Sequence, residues 1–141
     1  KIPGGRRTDA VAGNMDLLPT IAQVCGVELP SDRTIDGRSL WPLLTGETEE
    51  SPHDYFHYFG GARPDGPPSY RAIRDDRWKL ILERSSGREL ESAELYDLGA
   101  DPSEKFDRLQ QHPEEAQRLL SAAQQFHADL LKNRRPVGRV E

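Results

Sequence analysis

The sequence predicts an α+β fold, in which a four-stranded antiparallel sheet packs against one long C-terminal helix. Three observations predict it. Four β-rich segments lie between residues 55 and 98, joined by short polar or Gly/Pro stretches, which favours antiparallel pairing. An amphipathic stripe at 113–131 has the length to cover one sheet face. Two short helical segments before residue 46 lack an apolar partner of their own and do not read as a complete domain.

The elements follow in order. Residues 1–13 are Gly-rich and basic, and lead into a short extended segment at Ala10-Val11-Ala12. Leu17, Leu18, Ile21 and Val24 then recur at helical spacing, which predicts a helix over 17–25. Asp16 is placed to cap it, Pro19 falls in its first turn, and Gly26 suits the left-handed residue after its end. Cys25, the single cysteine, reads as a packed, inert thiol at the end of a buried helix, and excludes an internal disulfide. Ser39 can cap a second short helix at Leu40-Trp41-Pro42-Leu43-Leu44, with Gly46 as its stop.

The character changes after an acidic loop at 47–54. Tyr55-Phe56-His57-Tyr58-Phe59 is an aromatic strand signal. A Gly/Pro loop from Gly60 to Pro68 contains Arg63. Tyr70-Arg71-Ala72-Ile73-Arg74 and Trp78-Lys79-Leu80-Ile81-Leu82 read as strands joined by a hairpin at 75–77. Alternation puts Trp78, Leu80 and Leu82 on one face, as core. A polar loop at 84–92 leads to the fourth strand, Glu94-Leu95-Tyr96-Asp97-Leu98. Pro113, Glu114 and Glu115 open the long helix, and Ala116, Leu119, Leu120, Ala123, Phe126, Leu130 and Leu131 form its apolar stripe. Residues from Asn133 onward read as a tail.

Composition narrows the function. Net charge is −5, which argues against a nucleic-acid surface, since phosphate backbones need a basic face. Arg6-Arg7 and Arg134-Arg135 read as solvated surface and tail. No stretch approaches the ~20 apolar residues of a membrane helix. The chain opens on Lys1 rather than Met, so the natural start is expected upstream, and this N-terminus does not reveal the compartment. No Cys/His spacing suggests a metal site. Asp36, Asp97 and Asp101 lie in separate turns, where side-chain bonds to backbone explain them. His53 reads as an exposed loop residue, His112 as a helix starter, and His127 as a packing residue beside the stripe.

Six phrases in order carry a resemblance. They are Lys1-Ile2-Pro3-Gly4-Gly5; Asp16-Leu17-Leu18-Pro19-Thr20; Asp36-Gly37-Arg38-Ser39-Leu40 with Pro42-Leu43-Leu44; Tyr70 to Arg74; Trp78-Lys79-Leu80-Ile81; and Glu94-Leu95-Tyr96-Asp97-Leu98 followed by Asp101-Pro102-x-Glu104. Together they resemble the late part of type I, formylglycine-dependent sulfatases of the alkaline-phosphatase-like superfamily, from Lys1 to about Leu131. Asp107 stands where that family often has Asn, which we expect to be a surface-loop difference only.

The resemblance implies two parts. Residues 1–46 would be the last helical segment of an incomplete large α/β sulfatase domain, and 47–141 the small C-terminal sheet-plus-helix domain. Family enzymes cleave sulfate esters with a formylglycine made in a Cys/Ser-x-Pro-x-Arg motif. Its gem-diol attacks sulfur while calcium, held by Asp and Asn oxygens, stabilises the charge. Cys25 is followed by Gly26-Val27, so it is not that residue. The resemblance places no catalytic residue and no metal ligand in this chain, and implies calcium for the parent enzyme, with its ligands upstream. The implied partners are a sulfated glycan or aryl sulfate substrate and the missing N-terminal catalytic part. The family tendency is periplasmic or secreted.

Loops of the small domain in that family reach the rim of the active-site cleft, which makes His57, Tyr58 and Arg63 candidates for contact with the unreactive part of a substrate. The same residues also read as an outward strand position and a solvated loop charge. Two further functions stay open: a phosphonate- or phosphate-ester hydrolase of the same superfamily, and a non-catalytic module binding a glycan or a protein.

Overall fold

The structure is a computed structural model that describes residues 2–60, 69–84 and 89–133. It confirms the α+β fold. The elements are α1 (Leu17–Cys25), α2 (Trp41–Thr45), β1 (Phe56–Gly60), β2 (Ser69–Arg74), β3 (Trp78–Arg84), β4 (Leu90–Asp97) and α3 (Pro113–Lys132). The strands form one sheet in the order β1-β2-β3-β4, every neighbouring pair antiparallel. The tail and the loop carrying Arg63 lie outside the described residues. Among those described, no helix is long and apolar enough to cross a membrane.

The chain divides into two compact units, between Asp54 and Tyr55. The sequence suggested a boundary at 46/47 instead. Residues 51–53 belong with the first unit because the Ser51 hydroxyl donates to the Val11 carbonyl and the His53 ring bonds Asp16.

In the second unit the sheet and α3 enclose an apolar core. Tyr70, Ile73, Trp78, Leu80, Leu82, Leu90, Leu95, Ala116, Leu119 and Ala123 are buried together, with Leu120 and Phe126 packed beside them. Two bulges keep this face apolar. One pairs Tyr58 with Ala72 but Phe59 with Tyr70, leaving Arg71 as the extra residue, exposed, and turning Tyr70 inward with Ile73. The other pairs Ile81 with Glu94 but Leu82 with Ser92. The β3 face of Trp78, Leu80 and Leu82 is core, as the alternation required. β4 begins at Leu90, inside the stretch read as a polar loop, because Leu90 is buried against α3. The β2–β3 turn is held by Asp75, whose Oδ1 accepts the amides of Arg77 and Trp78, and whose other oxygen takes Arg118 from α3.

The first unit is built differently. No strand forms at Ala10-Val11-Ala12. Its buried residues are Val11, Pro19, Ala22 and Leu43 on the apolar side and Asp16, Thr20 and His53 on the polar side. Gly37 lies so close to the Met15 carbonyl that a Cβ there would collide with it, so this approach requires glycine. Ser39 accepts the Trp41 amide at the start of α2, and Gly46 ends that helix in the left-handed region.

Candidate functional site

Two places in the structure concentrate polar chemistry, one per unit. The first is centred on Asp16, which is fully buried. It does not cap α1: its side chain makes no bond to that helix, and its backbone is already helical. The carboxylate accepts instead from three directions. Oδ2 takes the Gly13 amide at 2.8 Å, and Oδ1 takes the Arg38 amide at 2.8 Å and lies 2.7 Å from His53 Nε2. Burial works to raise the Asp16 pKa, but the Arg38 and Gly13 amides and the His53 ring outweigh it and hold the carboxyl below its usual 3.8. One turn on, the Thr20 hydroxyl donates to the Asp16 carbonyl and accepts the Leu40 amide.

This cluster contains a serine, a histidine and an aspartate, yet it is no nucleophilic triad. The Ser51 hydroxyl contacts the backbone of Val11 and His53, and its bond to His53 is to the main chain, not the ring. His53 is 8% exposed, against the expectation of an exposed loop residue. Nothing local could have shown this, because its partner is 37 residues away. The site ties the loops at Gly13, Arg38 and His53 together. Cys25, expected to be buried, is exposed.

The second place is the end of the sheet from which the 61–68 segment departs. His57 and Tyr58, paired as candidates in the sequence, fall on opposite faces of β1 because strand residues alternate. His57 faces α3. Its ring stacks on Phe126 with centroids 3.6 Å apart and planes 8° from parallel, and its Nδ1 lies 2.5 Å from the Tyr70 hydroxyl. Phe59 stacks on Tyr70 at 5.0 Å, and His127 lies against the same ring. Burial pushes the Tyr70 phenol well up, so it stays a neutral hydrogen-bonding group. Tyr58 lies on the other face beside Phe56, with the Lys79 ammonium 5.2 Å from its ring centroid. That ammonium is also bound by both Glu104 oxygens at 2.8 Å. Arg63 lies outside the described residues.

The acidic turn residues serve the backbone. Asp97 accepts from Gly99, Ala100 and Arg77, and Asp101 from the amides of Lys105 and Phe106. Asp107 does more than the sequence suggested: its Oδ1 accepts the amides of both Leu95 and Leu109. Among the described residues no three His, Cys, Asp or Glu side chains converge as metal ligands.

The family model described as N-sulphoglucosamine sulphohydrolase, C-terminal, matches residues 1–134. Arylsulfatase A of Bos taurus is 32% identical over 142 residues, covering 89% of this chain and 27% of that protein. A solved structure of a protein in complex with its substrate D-glucosamine-2-N,6-O-disulfate is 32% identical with a TM-score of 0.61, over 91% of this chain and 27% of that chain. A phosphonate monoester hydrolase from Silicibacter pomeroyi is 25% identical with a TM-score of 0.55, over 89% of this chain and 26% of that chain. The chain thus spans about a quarter or less of the length of the curated relatives it matches.

Proposed function

This chain belongs to the N-sulphoglucosamine sulphohydrolase C-terminal family, and from that membership we propose that it is the C-terminal part of a sulfuric-ester hydrolase. Its substrate is a sulfated carbohydrate or an aryl sulfate, and the residues that cleave the ester, with the calcium they hold, lie in the rest of that enzyme. The observation that carries this reading is a family match across residues 1–134 in a chain that covers only 27% of arylsulfatase A. The chemistry of the chain agrees with it. Cys25 lacks the x-Pro-x-Arg context of a formylglycine precursor, and the Asp16 carboxylate is engaged by the Gly13 and Arg38 amides and the His53 ring.

The contribution of this part is to help choose the substrate. The Gly/Pro-rich segment 60–68 joins β1 to β2, and segments of that kind carry recognition on a rigid scaffold. Arg63 pairs with an anionic group on the unreactive part of the substrate. Tyr58 offers a ring and a hydroxyl to the substrate, while His57 acts indirectly, steadying β1 through Tyr70 and Phe126. Such contacts discriminate among leaving groups rather than drive the bond cleavage.

The whole enzyme is expected to turn over 4-nitrophenyl sulfate, and purified residues 1–141 to leave it untouched with or without calcium. Turnover by the purified chain would overturn the proposal. Arg63→Ala in the whole enzyme is expected to lower kcat/KM for an anionic glycan sulfate by the equivalent of ~1–3 kcal/mol, and to spare the neutral aryl sulfate. Equal losses on both would assign Arg63 to the fold or the chemistry. The likeness to a phosphonate monoester hydrolase favours a second reading, in which the enzyme prefers phosphonate monoesters. A higher kcat/KM on phenyl phosphonate esters than on the matching sulfates would install it.

A further inference from the structure

The sheet face opposite α3 carries an arginine placed by two features of the backbone. The bulge in β2 makes Arg71 the extra residue between Tyr70 and Ala72, and a bulge re-aims the side chain it inserts. Across the pairing, Gly60 lets that side chain lie over β1. Arg71 Nε stands 3.0 Å, and its Cγ 3.4 Å, from the position a Cβ on Gly60 would take. Phe59 faces α3, so Gly60 and Tyr58 share the other face. Strand residues two apart are separated by ~7 Å, so the Arg71 side chain lies one step along β1 from Tyr58. Its neighbours in charge are bonded within the unit. Arg74 donates to the carbonyls of Asp75 and Asp76, Arg77 pairs with Asp97, and Lys79 pairs with Glu104. Arg71 is exposed, and among the described residues its guanidinium has no such partner.

We propose that Arg71 and Tyr58 form a binding site for an anionic sugar, with the Tyr58 ring against the sugar and the Arg71 fork on a sulfate or carboxylate that it carries. The choice of a sugar rests on the reading above that the enzyme acts on sulfate esters. A guanidinium presents parallel N–H donors that match a pair of oxyanion oxygens. A phenol combines an apolar ring with a polar tip, which suits the mixed surface of a sugar. The Tyr58 ring is held from two directions, by the edge of Phe56 at 5.2 Å and by the Lys79 ammonium at 5.2 Å from its centroid. Both Glu104 oxygens bind that ammonium, so Arg71 is the cation beside Tyr58 whose charge is left to select an anion.

The test titrates the whole enzyme by calorimetry with a sulfated chondroitin hexasaccharide, checked to survive the titration intact, and with the unsulfated hexasaccharide. Arg71→Ala is expected to weaken binding about tenfold. A loss on both probes identifies the bound group as the carboxylate, and a loss on the sulfated probe alone identifies it as the sulfate. Arg71→Lys keeps the charge without the fork and should restore only part of the affinity. Gly60→Ala is the sharper variant. Its methyl would meet the movable Arg71 side chain and stand an ordinary 3.5 Å from the Ser69 Cβ, so the thermal midpoint should hold while binding falls severalfold. Affinity unchanged by Arg71→Ala or by Gly60→Ala would overturn the proposal, as would a parent enzyme that binds neither probe. So would an equal loss in Lys105→Ala, which removes a charge from another exposed position. Arg71-dependent binding by an enzyme inactive on sulfate esters would sink the functional reading alone. Sulfatase activity with binding indifferent to Arg71 would sink this inference alone.

Discussion

The two units of this chain are stabilised by opposite means. Among the described residues, the unit from Tyr55 onward encloses a core of ten buried apolar side chains between a sheet and α3. The unit up to Asp54 buries few apolar groups and depends on one carboxylate that organises the loops at Gly13, Arg38 and His53. Its largest aliphatic side chains point outward from α1. The difference teaches that closeness in sequence does not imply equal self-sufficiency. Apolar burial scales with the area removed from water and can complete itself within one sheet-and-helix layer. A polar hub fixes geometry but adds little net stability, because each bond replaces one to water.

The largest effect should come from removing the hub. Asp16→Ala leaves the His53 ring and the Gly13 and Arg38 amides unpaired in a buried site, at a cost of about 3–5 kcal/mol. Hydrogen exchange should show residues 11–53 losing protection while β3 and α3 keep theirs. Loss of protection in both units together would break the comparison.

Leu119→Ala is the counterpart in the second unit. Leu119 is fully buried in the core, and its truncation is expected to cost about 2–4 kcal/mol. Here β2, β3, β4 and α3 should lose protection while the Gly13 and Arg38 amides do not. A loss confined to α3 would show that the sheet holds without its cover.

Acid should separate the units more gently. The Asp16 carboxyl is held below 3.8 in the folded chain, so its contribution is fully present above that pH and is lost as pH falls through the lower, folded value. Asp75 shifts in the same direction and stabilises the β2–β3 turn by the same sign. Below about pH 4, Asp16→Asn should therefore show a flatter loss of protection at Gly13 and Arg38 than the parent chain, while Asp75's turn loses protection with acid equally in both proteins. Parallel acid curves for the two proteins would assign the acid loss elsewhere.

The sequence revealed most of the second unit and little of how the first is held. Strand alternation and the 113–131 stripe are local signals, and both set α3 against the Trp78, Leu80 and Leu82 face. The bulges at Tyr58/Phe59 and Ile81/Leu82 left no comparable sign, since each is decided by which residue the neighbouring strand offers. α1 matched its predicted span, yet Cys25 was expected to be buried because an apolar helix suggests an interior that this chain does not supply. The Asp16–His53 pair was illegible because its partners come from separate loops with no periodicity. Of the candidate site, the sequence supplied the residues, but only the strand geometry showed that His57 and Tyr58 lie on opposite faces of β1.

The smallest effect concerns Asp107, and it sharpens the comparison most closely. Its Oδ1 accepts the amides of Leu95 and Leu109, and the Arg108 amide in turn donates to the Leu95 carbonyl, so the turn is stitched to the middle of β4. Both bonds to Asp107 need an acceptor oxygen and neither needs a charge. An amide side chain keeps that oxygen, so Asp107→Asn should change the free energy of unfolding, measured by urea titration, by less than about 0.5 kcal/mol. Asp107→Ala removes the acceptor for an amide at a fully buried residue and should cost about 1–2 kcal/mol. Asp16 should behave otherwise, since its carboxylate accepts three donors including a histidine, and an amide there would turn a donor toward one of them. If Asp107→Asn proved as costly as Asp107→Ala, charge rather than acceptor geometry would hold this turn. The second unit would then share the electrostatic dependence that otherwise sets the first apart.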